Sequence, residues 1–101
     1  MRNFNKENKF LIESAFNCTD YDVDTKNKIV RLELQGSMAD DYIKYDIFLK
    51  IRDISSIDTL KKLGEESEHD FILYLCGMIL NNEVERVMAD CEYYAEYCKD
   101  E

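Results

Sequence analysis

A chain of 101 residues is long enough for one domain with its own hydrophobic core, without support from a metal ion or disulfides. Hydrophobic residues make up 46% of the chain and charged residues 35%, which excludes an intrinsically disordered protein because such proteins lack the apolar residues needed to fold. No apolar run approaches the roughly 20 residues of a membrane-spanning helix. We therefore expect one soluble domain over residues 1–101, with a formal net charge of −9.

The compartment follows from the N-terminus and the cysteines. Residues 1–8 contain no apolar stretch followed by a small-residue cleavage site, so we expect a cytoplasmic protein. In a reducing compartment Cys18, Cys76, Cys91 and Cys98 would be free thiols that pack as small hydrophobes. In an exported domain they could instead form two disulfides. We predict four free thiols.

Hydrophobic periodicity predicts a helix and then three strands. Apolar residues recur at helical spacing over residues 4–18. Residues 20–24 and 29–34 alternate between apolar and polar side chains, and residues 25–28 supply the turn between them. Residues 42–51 form a third alternating segment. Because the connections are too short for crossover helices, the strands should form an antiparallel meander.

Two helices are expected next. Ser55 or Ser56 can cap a short helix that Gly64 would end, and Ser67 can cap another. Apolar side chains wrap around most of the segment 71–80, which indicates a helix in the middle of the domain.

The last helix is predicted over residues 83–99. Its apolar positions follow the helical period: Val84, Val87, Met88, Cys91, Tyr94, Ala95 and Cys98. The predicted fold class is α+β, in the order α-β-β-β-α-α-α, with helices on one face of a three-stranded sheet.

The net charge belongs entirely to the last third of the chain. Residues 1–63 carry eleven basic and eleven acidic side chains, whereas residues 64–101 carry two basic and eleven acidic ones. If the apolar stripe of the last helix faces inward, carboxylates and tyrosines project outward together. The candidate partner-binding residues are Glu85, Asp90, Glu92, Tyr93, Glu96, Tyr97 and Asp100.

Such a face could meet a basic partner protein. Carboxylates at i and i+4 stand about 5–6 Å apart, comparable to successive phosphates of a nucleic acid. Tyrosines add flat contact area of the kind found at interface anchors. A basic cleft would be attracted to this face, and its encounter would be faster. The alternative is that these acids form solvated surface that only keeps the protein soluble.

Metal sites and catalysis are not indicated. The series Asp20, Asp22 and Asp24 resembles the start of a calcium loop, but Thr25 and Arg31 stand where that loop needs glycine and glutamate. These aspartates therefore indicate an acidic strand edge. Possible zinc ligands stand seven residues apart, about 10.5 Å along a helix, which is too far for one ion. With one histidine in the chain, we expect no enzyme and no cofactor.

Direct nucleic-acid binding is also not expected. The start α-β-β-β-α has the element order of a double-stranded RNA-binding domain, but such domains grip phosphates with basic residues. Here the segment 71–80 is apolar and follows acidic residues.

The meander over residues 21–51, together with the acidic segments 65–70 and 83–101, resembles small phage-encoded anti-CRISPR proteins in architecture and charge. The resemblance implies occlusion of a basic nucleic-acid-binding groove on a CRISPR effector, in the cytoplasm of a phage's host cell. The alternative is an immunity protein or antitoxin that neutralises a basic toxin. A structural protein that oligomerises is a third possibility, and the sequence leaves the oligomeric state open.

Overall fold

The computed structural model describes residues 6–35 and 44–87. Within these ranges it has three helices and one antiparallel sheet of four strands in the order β1-β2-β3-β4. The elements are α1 (Lys6–Asn17), β1 (Cys18–Asp24), β2 (Ile29–Gln35), β3 (Lys44–Ile51), α2 (Ile54–Glu66), α3 (Glu68–Leu80) and β4 (Val84–Val87). The α+β class is confirmed. None of these helices has the length and apolarity needed to cross a bilayer.

The predicted order is wrong at its end, where a fourth strand replaces the start of the predicted helix over 83–99. Asn82 adopts the left-handed conformation (φ 62°), and the Glu83 N–H donates to the Met78 carbonyl at 2.9 Å. This reversal places Val84 opposite Ile51 of β3. Val84–Val87 then pairs with an available sheet edge, and this pairing satisfies backbone groups that a helix would have to satisfy internally. Residues 88–99 of the predicted helix lie outside the described residues.

The first hairpin agrees with the alternation in the sequence. Asp22 pairs with Arg31 and Val23 with Val30, across a turn at residues 25–28. In the turn, Asp24 accepts hydrogen bonds from the backbone and side-chain amides of Asn27, at 3.1 and 2.9 Å. β1 is an edge strand, as expected from its acidic residues.

The core lies between the helices and one face of the sheet, as predicted. Alternate residues of the two central strands are buried there: Val30, Leu32, Leu34, Ile47, Leu49 and Ile51. Leu11 and Ala15 of α1 and Leu75 of α3 pack against them. Tyr45 is exposed, although the alternation of β3 assigns it to this face. α3 packs against both α1 and α2, which confirms its central position in the helix layer.

Gly64 does not end α2, which continues to Glu66. A Cβ atom at Gly64 would lie 3.1 Å from Cε1 of Tyr21, and the Tyr21 hydroxyl donates to the Gly64 carbonyl at 3.2 Å. The Tyr21 ring also stacks on Phe71, with centroids 4.1 Å apart. The missing side chain of Gly64 therefore allows the Tyr21 ring to approach α2 closely. Ser67 caps α3 as predicted, accepting a hydrogen bond from the Asp70 N–H at 3.3 Å.

Candidate functional site

Only one of the seven candidate partner-binding residues lies within the described part of the chain. Glu85 is exposed on β4, in register with Lys50 of β3, on the face of the sheet away from the described helices. Its predicted helical alignment with the other acidic residues is therefore wrong, because a strand alternates its side chains between two faces. The other six candidates lie outside the described residues: Asp90, Glu92, Tyr93, Glu96, Tyr97 and Asp100.

The described part of the acidic segment forms two separate groups of carboxylates. The first group, which we name the junction patch, surrounds the turn between α2 and α3 and consists of Glu65, Glu66, Glu68 and Asp70. The second consists of Glu83 and Glu85 beside β4. The two groups stand towards opposite ends of α3, whose 13 residues span about 20 Å at 1.5 Å per residue.

All four carboxylates of the junction patch are exposed. Glu68 and Asp70 stand in the first turn of α3, where the helix dipole favours negative charge. Glu65 forms an ion pair with Lys61 at 3.6 Å, whereas no ion pair to a described residue involves Glu66, Glu68 or Asp70. The patch therefore offers several carboxylates that remain available to a partner.

The junction patch also influences two groups on β1. Burial raises the pKa of the Cys18 thiol above its ordinary value, and the charge of Glu68 raises it further. The pKa of the Tyr21 phenol is raised by the same two causes in the same order. Asp20 adds to both effects. The charge of Glu68 therefore acts on side chains at the N-terminal end of β1.

A second charged cluster surrounds Arg31 on the face of the sheet away from the described helices. The Arg31 guanidinium donates to Asp22 at 2.7 Å and to Asp46 at 2.8 Å, and it lies 3.5 Å from Asp20. The Arg31 side chain is only 12% exposed. Although burial alone would lower the pKa of Arg31, the hydrogen bonds that it donates to Asp22 and Asp46 raise that pKa above its ordinary value.

Other charges on this face are paired as well. Glu33 accepts a hydrogen bond from the Thr19 hydroxyl at 3.0 Å and forms an ion pair with Lys44 at 3.6 Å. Phe48, directly across from Arg31, is 3% exposed despite lying on the face away from the helices. These contacts give Asp22, Glu33 and Asp46 a structural role, because cations of the same sheet compensate their charges.

The Arg31 cluster could have been predicted from the sequence. A turn at residues 25–28 that joins two alternating segments fixes the pairing of Asp22 with Arg31. The alternating aspartates resemble a metal-binding sequence. The arginine on the neighbouring strand instead predicts that these aspartates form ion pairs with it.

Among residues 6–35 and 44–87, no group of three or more His, Cys, Asp or Glu side chains could hold a metal ion. Burial raises the pKa of the Cys76 thiol, as it does for Cys18. Reactive cysteines have a lowered pKa, so these two thiols lack the character of nucleophiles.

Neither a family model, nor a curated protein, nor a solved structure matches the chain.

Proposed function

We propose that this protein is a small inhibitor that binds a basic, nucleic-acid-binding surface of a partner protein and occludes it. The observation that carries the proposal is the uneven availability of charge. On β1–β3 most carboxylates face cations of the same sheet, whereas most carboxylates of the junction patch have no cationic partner among the described residues. Clustered free charge of one sign attracts a partner of the opposite sign and speeds its association.

The candidate residues beyond β4 extend this proposal. Asp90, Glu92, Glu96 and Asp100 would add carboxylates, and the tyrosines at 93 and 97 would supply contact area. Carboxylates determine how fast a partner arrives, whereas buried aromatic anchors determine how long it stays. Replacing Tyr93 and Tyr97 with Ala should therefore speed dissociation more than it slows association.

The anti-defence class is the first candidate for the partner. In this role the protein would block the groove in which a CRISPR effector holds nucleic acid, and it would need neither an active site nor a cofactor. The alternative is an immunity protein or antitoxin. A binding panel that contains CRISPR effectors and basic bacterial toxins separates the two, with loss of nucleic-acid binding by the effector as the readout for the first.

The test of the surface is a charge reversal with a matched control. Glu66→Lys with Glu68→Lys should slow association with the partner, and the effect should shrink as salt rises. The control is Glu7→Lys with Asp58→Lys, which changes the net charge equally. Each pair has one exposed acid in the first turn of a helix and one elsewhere in α2.

Both pairs should cost similar stability, about 0.3–1 kcal/mol for the residue near the helix start. If the control pair slows association as much as the junction pair, only net charge matters. The junction patch is then not a binding surface.

A further inference from the structure

The face of the sheet away from the described helices, which we name the second face, is buried at its centre. Phe48 of β3 is 3% exposed and Ile29 of β2 is 7% exposed, yet neither belongs to the hydrophobic core that the helices cover. Arg31, in register with Phe48, is only 12% exposed although it is charged. Side chains of a strand stand roughly perpendicular to the sheet, so neighbours shield one another's flanks but leave the outer ends open. Burial this complete therefore requires a further segment over the second face.

A row of paired residues leads from the end of β4 to this buried centre. Val87, the last residue of β4, pairs with Phe48, and Phe48 pairs with Arg31. Residues directly opposite each other on neighbouring strands have their side chains on the same face of the sheet. Val87 therefore lies on the second face beside Phe48, and the chain leaves β4 next to the surface that is covered.

We propose that residues 88–101 lie across the second face, with the apolar stripe of the predicted helix against it. Neighbouring strands are about 4.8 Å apart, so the path from β4 over β3 and β2 to β1 is about 14 Å long. A helix over residues 88–99 would be about 18 Å long at 1.5 Å per residue, which is enough to cross the sheet. Cys91 follows Val87 by four residues, about 6 Å along such a helix, which places it over Phe48.

The residues of the stripe suit this position. They are apolar or weakly polar and recur at the helical period: Met88, Cys91, Tyr94, Ala95 and Cys98. Packed on the second face, they would cover Phe48 and Ile29, as the helices cover the apolar residues of the other face.

The other segments outside the described residues fit the covered surface less well. Residues 36–43 join Gln35 to Lys44, which pair with each other, so this connection must return to where it began. Going out and back, its eight residues reach about 13 Å at full extension. Ile29 lies six residues from Gln35, about 20 Å along β2. Residues 1–5 lead into α1, which packs on the opposite face.

This placement turns four of the candidate partner-binding residues outward. Glu92, Tyr93, Glu96 and Tyr97 stand on the side of the predicted helix away from the stripe. The inference goes beyond the proposed inhibition and does not rest on it, because a segment that covers the sheet need not bind any other protein. Its test is accordingly made on the protein alone.

Native-state labelling of the full chain with iodoacetamide tests the proposal, with peptide mass spectrometry to follow each cysteine separately. Cysteines packed against the sheet react only when the segment opens. We expect Cys91 and Cys98 to react at least about tenfold more slowly than the cysteine introduced by Glu92→Cys on the outward side.

Phe48→Ala tests what Cys91 packs against. The variant should speed labelling of Cys91 at least about tenfold and leave the rate of Cys76, which is buried in the core on the other side of the sheet, unchanged. The matched control is Tyr45→Ala, because Tyr45 is an exposed aromatic residue of the same strand. It should leave both rates unchanged. If Phe48→Ala unfolds the protein and speeds both cysteines alike, Phe48→Leu allows the same comparison with a smaller loss of packing.

Three outcomes would overturn the proposal. In the first, Cys91 reacts as fast as the cysteine introduced on the outward side. In the second, neither Phe48 variant changes the rate of Cys91, which would show that another segment covers Phe48. In the third, the protein has twice the chain mass of 12.0 kDa and Cys91 becomes reactive on dilution, which would assign the cover to a second copy of the chain.

Discussion

Replacing Gly64 with alanine should destabilise the protein, although alanine is the better helix former. Gly64 lies inside α2, and in an unhindered helix the substitution would stabilise by about 1 kcal/mol. Here the added Cβ atom would lie 3.1 Å from Cε1 of Tyr21 and 3.4 Å from Cδ1 of Phe71. One of these rings must move by a few tenths of an ångström to accept it.

The cost depends on what holds the Tyr21 ring in place. It is stacked on Phe71, an interaction worth about 0.5–1.5 kcal/mol. Its hydroxyl donates a hydrogen bond to the Gly64 carbonyl, with a net value of about 0.5–1.5 kcal/mol. A shift that weakens both contacts outweighs the gain in helix propensity, so we expect a net loss of about 1 kcal/mol. For a domain of this size that corresponds to a fall in Tm of about 4–8 °C.

Urea denaturation followed by circular dichroism measures this change, and the other helical glycine supplies the control. Gly77→Ala, at a position with open space, should stabilise the protein by about 0.5–1 kcal/mol. In a Tyr21→Ala background, Gly64→Ala should become stabilising too, because the ring is gone. If Gly64→Ala stabilises the otherwise unaltered protein as Gly77→Ala does, Tyr21 does not fix the helix junction and the reasoning is refuted.

Four other predictions follow from the core, the thiols and the acidic segment. Leu75→Ala should reduce the free energy of unfolding by about 2–5 kcal/mol in urea, because this fully buried side chain lies at the centre of the core. Thiol titration after denaturation without reductant should count four free thiols, since Cys18 and the other described cysteine, at position 76, are unpaired. Because the folded state raises the pKa of the Cys18 thiol above its ordinary value of 9.0, the free energy of unfolding should decline as pH rises above 9.0, and Cys18→Ala should reduce that decline. Glu92→Lys with Glu96→Lys should slow association with the partner while the free energy of unfolding changes by less than about 0.5 kcal/mol, as measured by binding kinetics at two salt concentrations and by urea denaturation.

The sequence predicted the elements whose hydrophobic pattern is long enough to be decisive. α1, the three-stranded meander and α3 follow from period and capping residues, and Ser67 was identified as the cap of α3. Local pattern could not reveal that residues 84–87 pair with β3, because Val84 and Val87 also fit a helical stripe. Pairing with the edge of β3, which is distant in sequence, makes these residues a strand and not a helix. A segment this short has too few residues for its hydrophobic pattern to indicate that pairing.

For the candidate site, the sequence predicted the negative charge but not how the acidic residues are grouped in space. Placing the net charge in the last third identified the acids of the junction patch, but alignment along one helix wrongly joined Glu85 to residues 90–100. Which carboxylates are available depends on their cross-strand neighbours, and those follow from register. In the sequence, Arg31 served only as an argument against a calcium loop. In the structure, its guanidinium forms ion pairs with Asp22 and Asp46.

This difference in availability changes how the acidic surface must be tested. Asp20 and Asp22 are unsuitable as the control for a charge reversal, although both lie in residues 1–63, where acidic and basic side chains balance. Both face the guanidinium of Arg31, at 3.5 and 2.7 Å, so lysines there would place like charges around a largely buried cation. That variant would lose stability through repulsion at Arg31, and weaker partner binding would then report a damaged sheet. Glu7 and Asp58 avoid this difficulty because each is exposed and neither forms an ion pair with a described residue. Only a comparison with such carboxylates separates a binding surface from the charges that hold the sheet together.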